Sequence, residues 1–325
     1  MRDLRISVTD RCNFRCTYCM PKEIFGREYE FMPRDQLLTF EEITQIATAA
    51  AGLGVDKIRI TGGEPLMRAG LPELVSMLAA VDGIEDLTMT TNGSILARKA
   101  QELADAGLNR VTVSLDSIDD ATFRAMNDAD FGVAGVLDGI ETAAASGLGP
   151  IKINAVVKRG VNDDSILDMV EHFRGSGHTL RFIEYMDVGT TNGWRLNDVV
   201  SASEIYGLIA ARFTLEPVEA AYRGEVATRY RFADGSGEIG IIASVTAPFC
   251  GDCTRLRLSA EGTAYTCLFA ATGSDLRALI RSGADDDSIA EALSAIWKQR
   301  SDRYSEQRAE GTDGWEPIEM SYIGG

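Results

Sequence analysis

Histidine is almost missing from this chain: His172 and His178 are the only two in 325 residues. Neither lies near a cysteine in sequence, and both read as surface or core residues without a metal role. Basic residues are in deficit, 32 Lys and Arg against 49 Asp and Glu, for a formal charge of −17. That balance excludes a general nucleic-acid binder, which needs a basic surface. It leaves room for a phosphorylated small molecule, which needs only a few cations converging in one pocket. No run approaches the ~18 consecutive apolar residues that would span a bilayer, and Met1 leads into Arg2-Asp3-Leu4-Arg5 rather than a signal core. A soluble cytoplasmic chain is therefore expected. No Gly-x4-Gly-Lys-[Ser/Thr] loop occurs, so an ordinary GTPase is excluded. Long linkers and low-complexity tracts are also missing.

Strand-like and helix-like runs alternate from the start. Periodicity predicts strands over 4–8, 57–60, 86–90, 110–115, 151–157 and 180–185, and helices over 41–52, 71–81, 95–106, 133–146, 165–174 and 203–211. Thr39 ahead of Glu42 reads as a helix cap. Six such units require parallel strands and right-handed crossovers. The expected fold is α/β: a partial (β/α)6 barrel over residues 1–212, with an open doubly wound sheet as the competing topology. Ligands in either sit at the carboxyl ends of the strands. After residue 213 the pattern changes to short strand-like pieces, a turn at Asp234-Gly235-Ser236-Gly237 and two helical stretches. Residues 213–325 are expected to form a smaller C-terminal α+β domain.

Six cysteines fall into two triplets, with none in the 230 residues between Cys19 and Cys250. A chain of this length with clustered cysteines points to metal rather than to a disulfide framework. Cys12-x3-Cys16-x2-Cys19 follows the first strand directly. Three thiolates on one loop hold three irons of a cubane [4Fe-4S] cluster and leave the fourth open, whereas a closed zinc site wants four ligands. Cys250-x2-Cys253-x13-Cys267 repeats the pattern of three ligands without a fourth. A zinc knuckle, and with it a non-catalytic zinc-binding protein, is the competing reading.

The first triplet, with Tyr18 before its last cysteine, resembles the signature of radical S-adenosylmethionine enzymes, and Thr61-Gly62-Gly63-Glu64-Pro65 resembles their Gly-Gly-Glu-Pro segment. The resemblance implies a cluster whose open iron chelates S-adenosylmethionine and yields a 5′-deoxyadenosyl radical. It implies contacts to that cofactor from Tyr18, Gly63, Ser114 and Met186. With the second triplet, Arg181-Phe182-Ile183-Glu184-Tyr185-Met186, Thr254-Arg255-x-Arg257-Leu258 and a terminal Gly324-Gly325, nearly the whole chain resembles the GTP 3′,8-cyclase family of molybdenum cofactor biosynthesis. What this implies is cyclisation of GTP between C3′ and C8. The second cluster, on Cys250, Cys253 and Cys267, would hold the guanine. Arg5, Arg59, Thr90, Lys152, Arg181 and Arg255 would contact GTP, and Arg5, Arg255, Arg257, Gly324 and Gly325 are the candidate catalytic residues. Arginine's planar fork suits phosphate and guanine edges. An external one-electron donor and a downstream cyclic pyranopterin monophosphate synthase are the implied partners, and both monomer and homodimer remain open. Another two-cluster radical enzyme, such as a peptide-modifying maturase, is the alternative.

Overall fold

A computed structural model of the chain describes residues 1–307 and 316–324. Strands β1 (Asp3–Ser7), β2 (Lys57–Thr61), β3 (Asp86–Thr91), β4 (Arg110–Ser114), β5 (Lys152–Val157) and β6 (Thr179–Glu184) pair in parallel in that order. The helices between them are α1 (Phe40–Gly52), α2 (Leu71–Ala79), α3 (Ala100–Asp105), α4 (Asp120–Asn127), α5 (Val133–Ala145) and α6 (Ile166–Phe173), and α7 (Ala202–Ala210) follows β6. Thr39 caps α1 in a full capping box with Glu42, as its sequence predicts. The helix expected over 95–106 begins instead as a short 3-10 turn, Leu96–Arg98, and only Ala100–Asp105 is α-helical. Helix α4 was not expected; its Asp119 cap accepts from the Thr122 amide at 2.8 Å.

Period two assigns the faces of each strand. Leu4, Ile6, Ile58, Ile60, Leu87, Met89, Val111, Val113, Ile153 and Phe182 point outward, and together with the helices they form one continuous core. The intervening residues Arg5, Arg59, Thr90, Ser114, Asn154 and Arg181, one from each of the six strands, all line a single cavity. Side chains from six successive strands can meet only if the sheet curves around them, so the sheet is a partial barrel rather than an open doubly wound sheet.

The strands after residue 213 do not form a sheet of their own. They are β7 (Leu215–Val218), β8 (Thr228–Phe232), β9 (Glu238–Ile242), β10 (Arg255–Leu258), β11 (Thr263–Tyr265) and β12 (Ser274–Asp275). Strand β9 pairs in parallel with β6, and β10 in parallel with β1, so both edges of the six-stranded wall gain a parallel strand. The antiparallel pairs β7–β8 and β11–β12 finish a twelve-stranded sheet. Helices α8 (Leu276–Arg281) and α9 (Asp286–Lys298) then return to the outside of the barrel. Ile289 and Leu293 are fully buried there, and Arg281 pairs with Glu42 at 2.7 Å. Two short helices, α10 (Tyr304–Gln307) and α11 (Met320–Ile323), close the described chain, and Ile323 is buried against Tyr265 and Ala270. Among the described residues, no helix is long and apolar enough to cross a membrane.

One fully buried carboxylate ties the added strands to the barrel. Glu184, at the end of β6, accepts from the Ala202 amide at 2.7 Å, the Val245 amide at 2.7 Å, and both the amide and the hydroxyl of Thr246. Ala202 opens α7, where a negative charge is favoured by the helix dipole. Replacing Glu184 by Ala removes four hydrogen bonds to a charged acceptor from these partly buried donors, at roughly 1 kcal/mol each. We expect Glu184→Ala to lower the melting temperature of the purified protein by roughly 6–12 °C. A change of under about 2 °C in a thermal scan would show that the carboxylate is not a structural tie.

Candidate functional site

The loop after β1 carries Cys12, Cys16 and Cys19 to the carboxyl end of the barrel. Its path is fixed by close backbone contact with the Gly-Gly-Glu-Pro segment that follows β2. The Gly63 amide donates to the Thr9 carbonyl at 2.7 Å, and the Glu64 amide to Arg11 at 2.8 Å. A Cβ on Gly63 would stand 2.3 Å from the Arg11 oxygen, so only glycine fits. The sequence reading assigns these glycines to ligand approach; what they first permit is approach of the cysteine loop. Buried Glu64 accepts from Thr91 Oγ1, from the Asn92 amide and from the Leu66 amide, at 2.7–3.1 Å. Burial pushes its carboxyl up to about 7. Tyr18 donates its hydroxyl to Asp116 Oδ2 at 2.8 Å, and burial raises Asp116 to about 6. Ser114 and Met186 line the same end of the cavity.

The second triplet stands at the other end. Arg255 opens β10 and is in register with Asp3 at the start of β1, so Cys250 and Cys253 lie on the amino-end side of the strands. Cys12 lies beyond their carboxyl ends. The length of β1, roughly 16 Å at 3.3 Å per residue, separates the two groups, and a cavity of about 580 Å³ runs between them, lined by all six cysteines.

Cations furnish the wall of that cavity. Arg59 Nη1 donates to Thr90 and Thr112 hydroxyls at 3.0 and 3.1 Å, and Arg181 Nε to Asn154 at 2.9 Å. Arg257 Nη1 donates to the Gly324 carbonyl, which brings the described end of the tail against the lumen. Arg255 Nε donates to Cys253 Sγ at 3.2 Å and its guanidinium lies over the Phe249 ring. Burial lowers Arg5 well below the usual arginine range, with Arg257 adding to the effect, and brings Arg181 down to about 9 and Arg257 to about 10. Three buried atoms on this wall, Arg5 Nε, Arg59 Nε and Thr61 Oγ1, have no hydrogen-bond partner. Lys57 and Arg110, absent from the sequence-derived set, also line the cavity and share Asp86, whose carboxyl they hold at about 2 against the opposing effect of burial. Both occupy inward positions of their strands, so the period-two pattern alone could have identified them. Lys152 does not line the cavity. It shares the inward face of β5 with Asn154 and Val156, and burial and the cations Arg181, Arg110, Lys57 and Arg59 push it down to about 7. Gly325 lies outside the described residues.

Each triplet brings three thiols to the cavity, the donor set that a cubane cluster with one open iron would use. Among the described residues, no three Cys, His, Asp or Glu side chains stand close enough to hold one metal ion. A cubane cluster places each thiolate on its own iron, which needs wider spacing than the shared centre of a zinc site. The electrostatic settings differ. Burial raises the thiols of Cys12, Cys16 and Cys19, and nearby carboxylates add to the rise. Burial opposes ionisation of Cys253 as well, yet Arg255 and Arg300 bring its thiol below the ordinary value.

The ligand-free Lys152 is half-protonated near neutrality, and a polyanion among its neighbours raises its affinity for a proton. Anion binding at pH 8 therefore draws in a proton, and affinity weakens as pH rises through about 7. Isothermal calorimetry with inorganic triphosphate, in buffers of different ionisation enthalpy, reads this uptake. Lys152→Met is expected to take up less than wild type by a fraction of a proton; equal uptake would remove Lys152 from the anion's environment.

The chain is similar to known proteins along its length. A model of the Radical SAM superfamily matches residues 6–173, and one of Molybdenum Cofactor Synthesis C matches residues 178–306. A GTP 3′,8-cyclase of Acidothermus cellulolyticus is 54% identical, over 100% of this chain and 97% of its own length. One of Staphylococcus haemolyticus is 50% identical over 100% and 96%. Among solved structures, SuiB of Streptococcus suis bound to S-adenosylmethionine superposes with a TM-score of 0.64 at 15% identity, over 87% of this chain and 65% of SuiB. Methylornithine synthase (PylB) gives 0.51 at 17% identity, over 64% and 61%. These two likenesses establish the fold.

Proposed function

The chain belongs to the GTP 3′,8-cyclase family of radical S-adenosylmethionine enzymes, and we propose from that premise how its own residues divide the work. It is a lyase that binds an iron–sulfur cluster and S-adenosylmethionine and cyclises GTP to (8S)-3′,8-cyclo-7,8-dihydroguanosine 5′-triphosphate, the first step of molybdenum cofactor biosynthesis. The zinc-protein and peptide-maturase readings are set aside on this ground.

Cys12, Cys16 and Cys19 would hold the first [4Fe-4S] cluster, and Gly63, Ser114, Tyr18 and Met186 would seat S-adenosylmethionine beside it. When bound, these groups supply a 5′-deoxyadenosyl radical at the carboxyl end of the lumen. Cys250, Cys253 and Cys267 would hold a second [4Fe-4S] cluster at the amino end, facing the guanine. Between them, Arg5, Arg59, Thr90, Arg181 and Arg255 would fix the nucleotide, with Lys152 adding its charge from the inward face of β5. Thr90 and Thr112 orient the Arg59 guanidinium, and Asn154 orients that of Arg181. Arg257 holds the Gly324 carbonyl, and Met320 and Ser321 of the same tail line the cavity. The tail thereby narrows the access of water to a site where radicals must survive. Residues 1–212 would carry the radical chemistry and residues 213–325 the second cluster and this closure. The single observation that carries the substrate assignment is the set of arginines, Arg5, Arg59, Arg181, Arg255 and Arg257, that line the space between the triplets. An anion with further polar groups satisfies them, and an apolar ligand does not. An outside one-electron donor, a reducing cytoplasmic setting that suits six free thiols, and a downstream enzyme that forms cyclic pyranopterin monophosphate complete the reading.

Anaerobically reconstituted protein, supplied with S-adenosylmethionine, dithionite and GTP, tests it by chromatography and mass. Wild type should release 5′-deoxyadenosine and convert GTP to a product of unchanged mass. Cys12→Ala should abolish both, and Cys253→Ala should spare much of the deoxyadenosine while abolishing GTP conversion. Wild-type turnover of GTP by Cys253→Ala would remove the second triplet from the reaction.

A further inference from the structure

Helix α9 ends at Lys298, and two residues later Arg300 turns back beneath the second triplet. Its guanidinium donates from Nη1 to the Cys253 carbonyl at 2.6 Å and from Nη2 to the Cys250 carbonyl at 2.9 Å. These are the peptide oxygens of the two cysteines that frame Cys-x2-Cys. The stem side is fixed as well: the guanidinium lies over the Trp297 ring at 5.1 Å, and Nε is buried with no hydrogen-bond partner. The loop between the cysteines is a single 3-10 turn, Cys250–Asp252, whose one internal bond runs from the Cys253 amide to the Cys250 carbonyl at 3.2 Å. One weak turn does not fix two side-chain directions. The ion pair of Arg223 with Asp252 on the loop is exposed and contributes little. Among the described residues, Arg300 is the partly buried side chain seen to grip both cysteine peptides at once.

We infer that Arg300 is a positioning residue for the second cluster: its planar fork holds the carbonyls of Cys250 and Cys253 and so fixes the spacing at which their thiols are presented. The inference rests on the reading of Cys250, Cys253 and Cys267 as cluster ligands. Arginine is suited to this because its paired donors lie in one plane, while the ammonium of lysine is a point charge on a flexible stem. A cation held against the ligand backbone also bears on the cluster's reduction potential, which responds to local charge and hydrogen bonding. Position and charge can be separated, since Arg300→Lys keeps the charge and loses the fork, while Arg300→Gln keeps donors and loses the charge.

The experiment is anaerobic reconstitution of wild type, Arg300→Lys and Arg300→Gln, followed by iron and sulfide analysis and electron paramagnetic resonance of the dithionite-reduced proteins. Wild type should hold about eight irons per chain, four for each cubane. Arg300→Gln should fall toward about four, keep the signal of the first cluster and its cleavage of S-adenosylmethionine, and lose GTP conversion by more than about tenfold. Arg300→Lys should lie between them, with a shifted second-cluster signal. Full iron content with wild-type signals in Arg300→Gln overturns the inference. If that variant does not fold, a wild-type iron count and spectrum in Arg300→Lys overturns it equally. Wild type with only about four irons would instead sink the two-cluster reading itself, before any variant is compared.

Discussion

Positive charge confined to one lumen is the constraint on which most of this structure depends. Period two sends Leu4, Ile58, Val111, Ile153 and Phe182 outward to the helices. It therefore sends Arg5, Arg59, Arg110 and Arg181 inward, onto one another. In a chain of net charge −17 the carboxylates lie mostly elsewhere, and Asp3 and Asp86 are the ones these cations feel most. Burial and neighbouring cations lower Arg5, Arg59, Arg181 and Arg257, and Lys152 as far as about 7. Such a wall is costly without a ligand and becomes favourable when a polyanion enters. The core outside it is large and continuous, so the fold carries that cost without a second set of helices.

The same wall shows how far the sequence was legible. The six strand–helix units and the Thr39 cap follow from local periodicity, all six cysteines stand out by their spacing, and most of the arginines could be named from the family resemblance. The roles of β9 and β10 could not. Each pairs with a strand distant in sequence, β10 with β1 across some two hundred and fifty residues, and no local pattern encodes a partner so remote. The same holds for Glu184, which reads as an ordinary member of Arg181-Phe182-Ile183-Glu184-Tyr185-Met186 until its bonds to Val245 and Thr246 are seen. Lys152 is a different case. Its place in the strand was expected, but alternation fixes only the face on which a side chain starts, not whether it reaches the cavity past Arg181 and Arg110. Helix α3 came out short because residues 96–98 wind as a 3-10 turn, which apolar spacing does not distinguish from an α-helix over so few residues.

The two triplets share a motif and differ in surroundings, and the difference follows from where each loop leaves the sheet. Cys12, Cys16 and Cys19 leave a carboxyl end, beside Glu64 and Asp116, both buried and both raised by burial. Cys250 and Cys253 enter at an amino end, beside Arg255 and Arg300. Surrounding negative charge disfavours adding an electron to a cluster, and positive charge favours it. If the triplets hold the two proposed clusters, the one at the carboxyl end would be the harder to reduce and the one at the cationic end the easier.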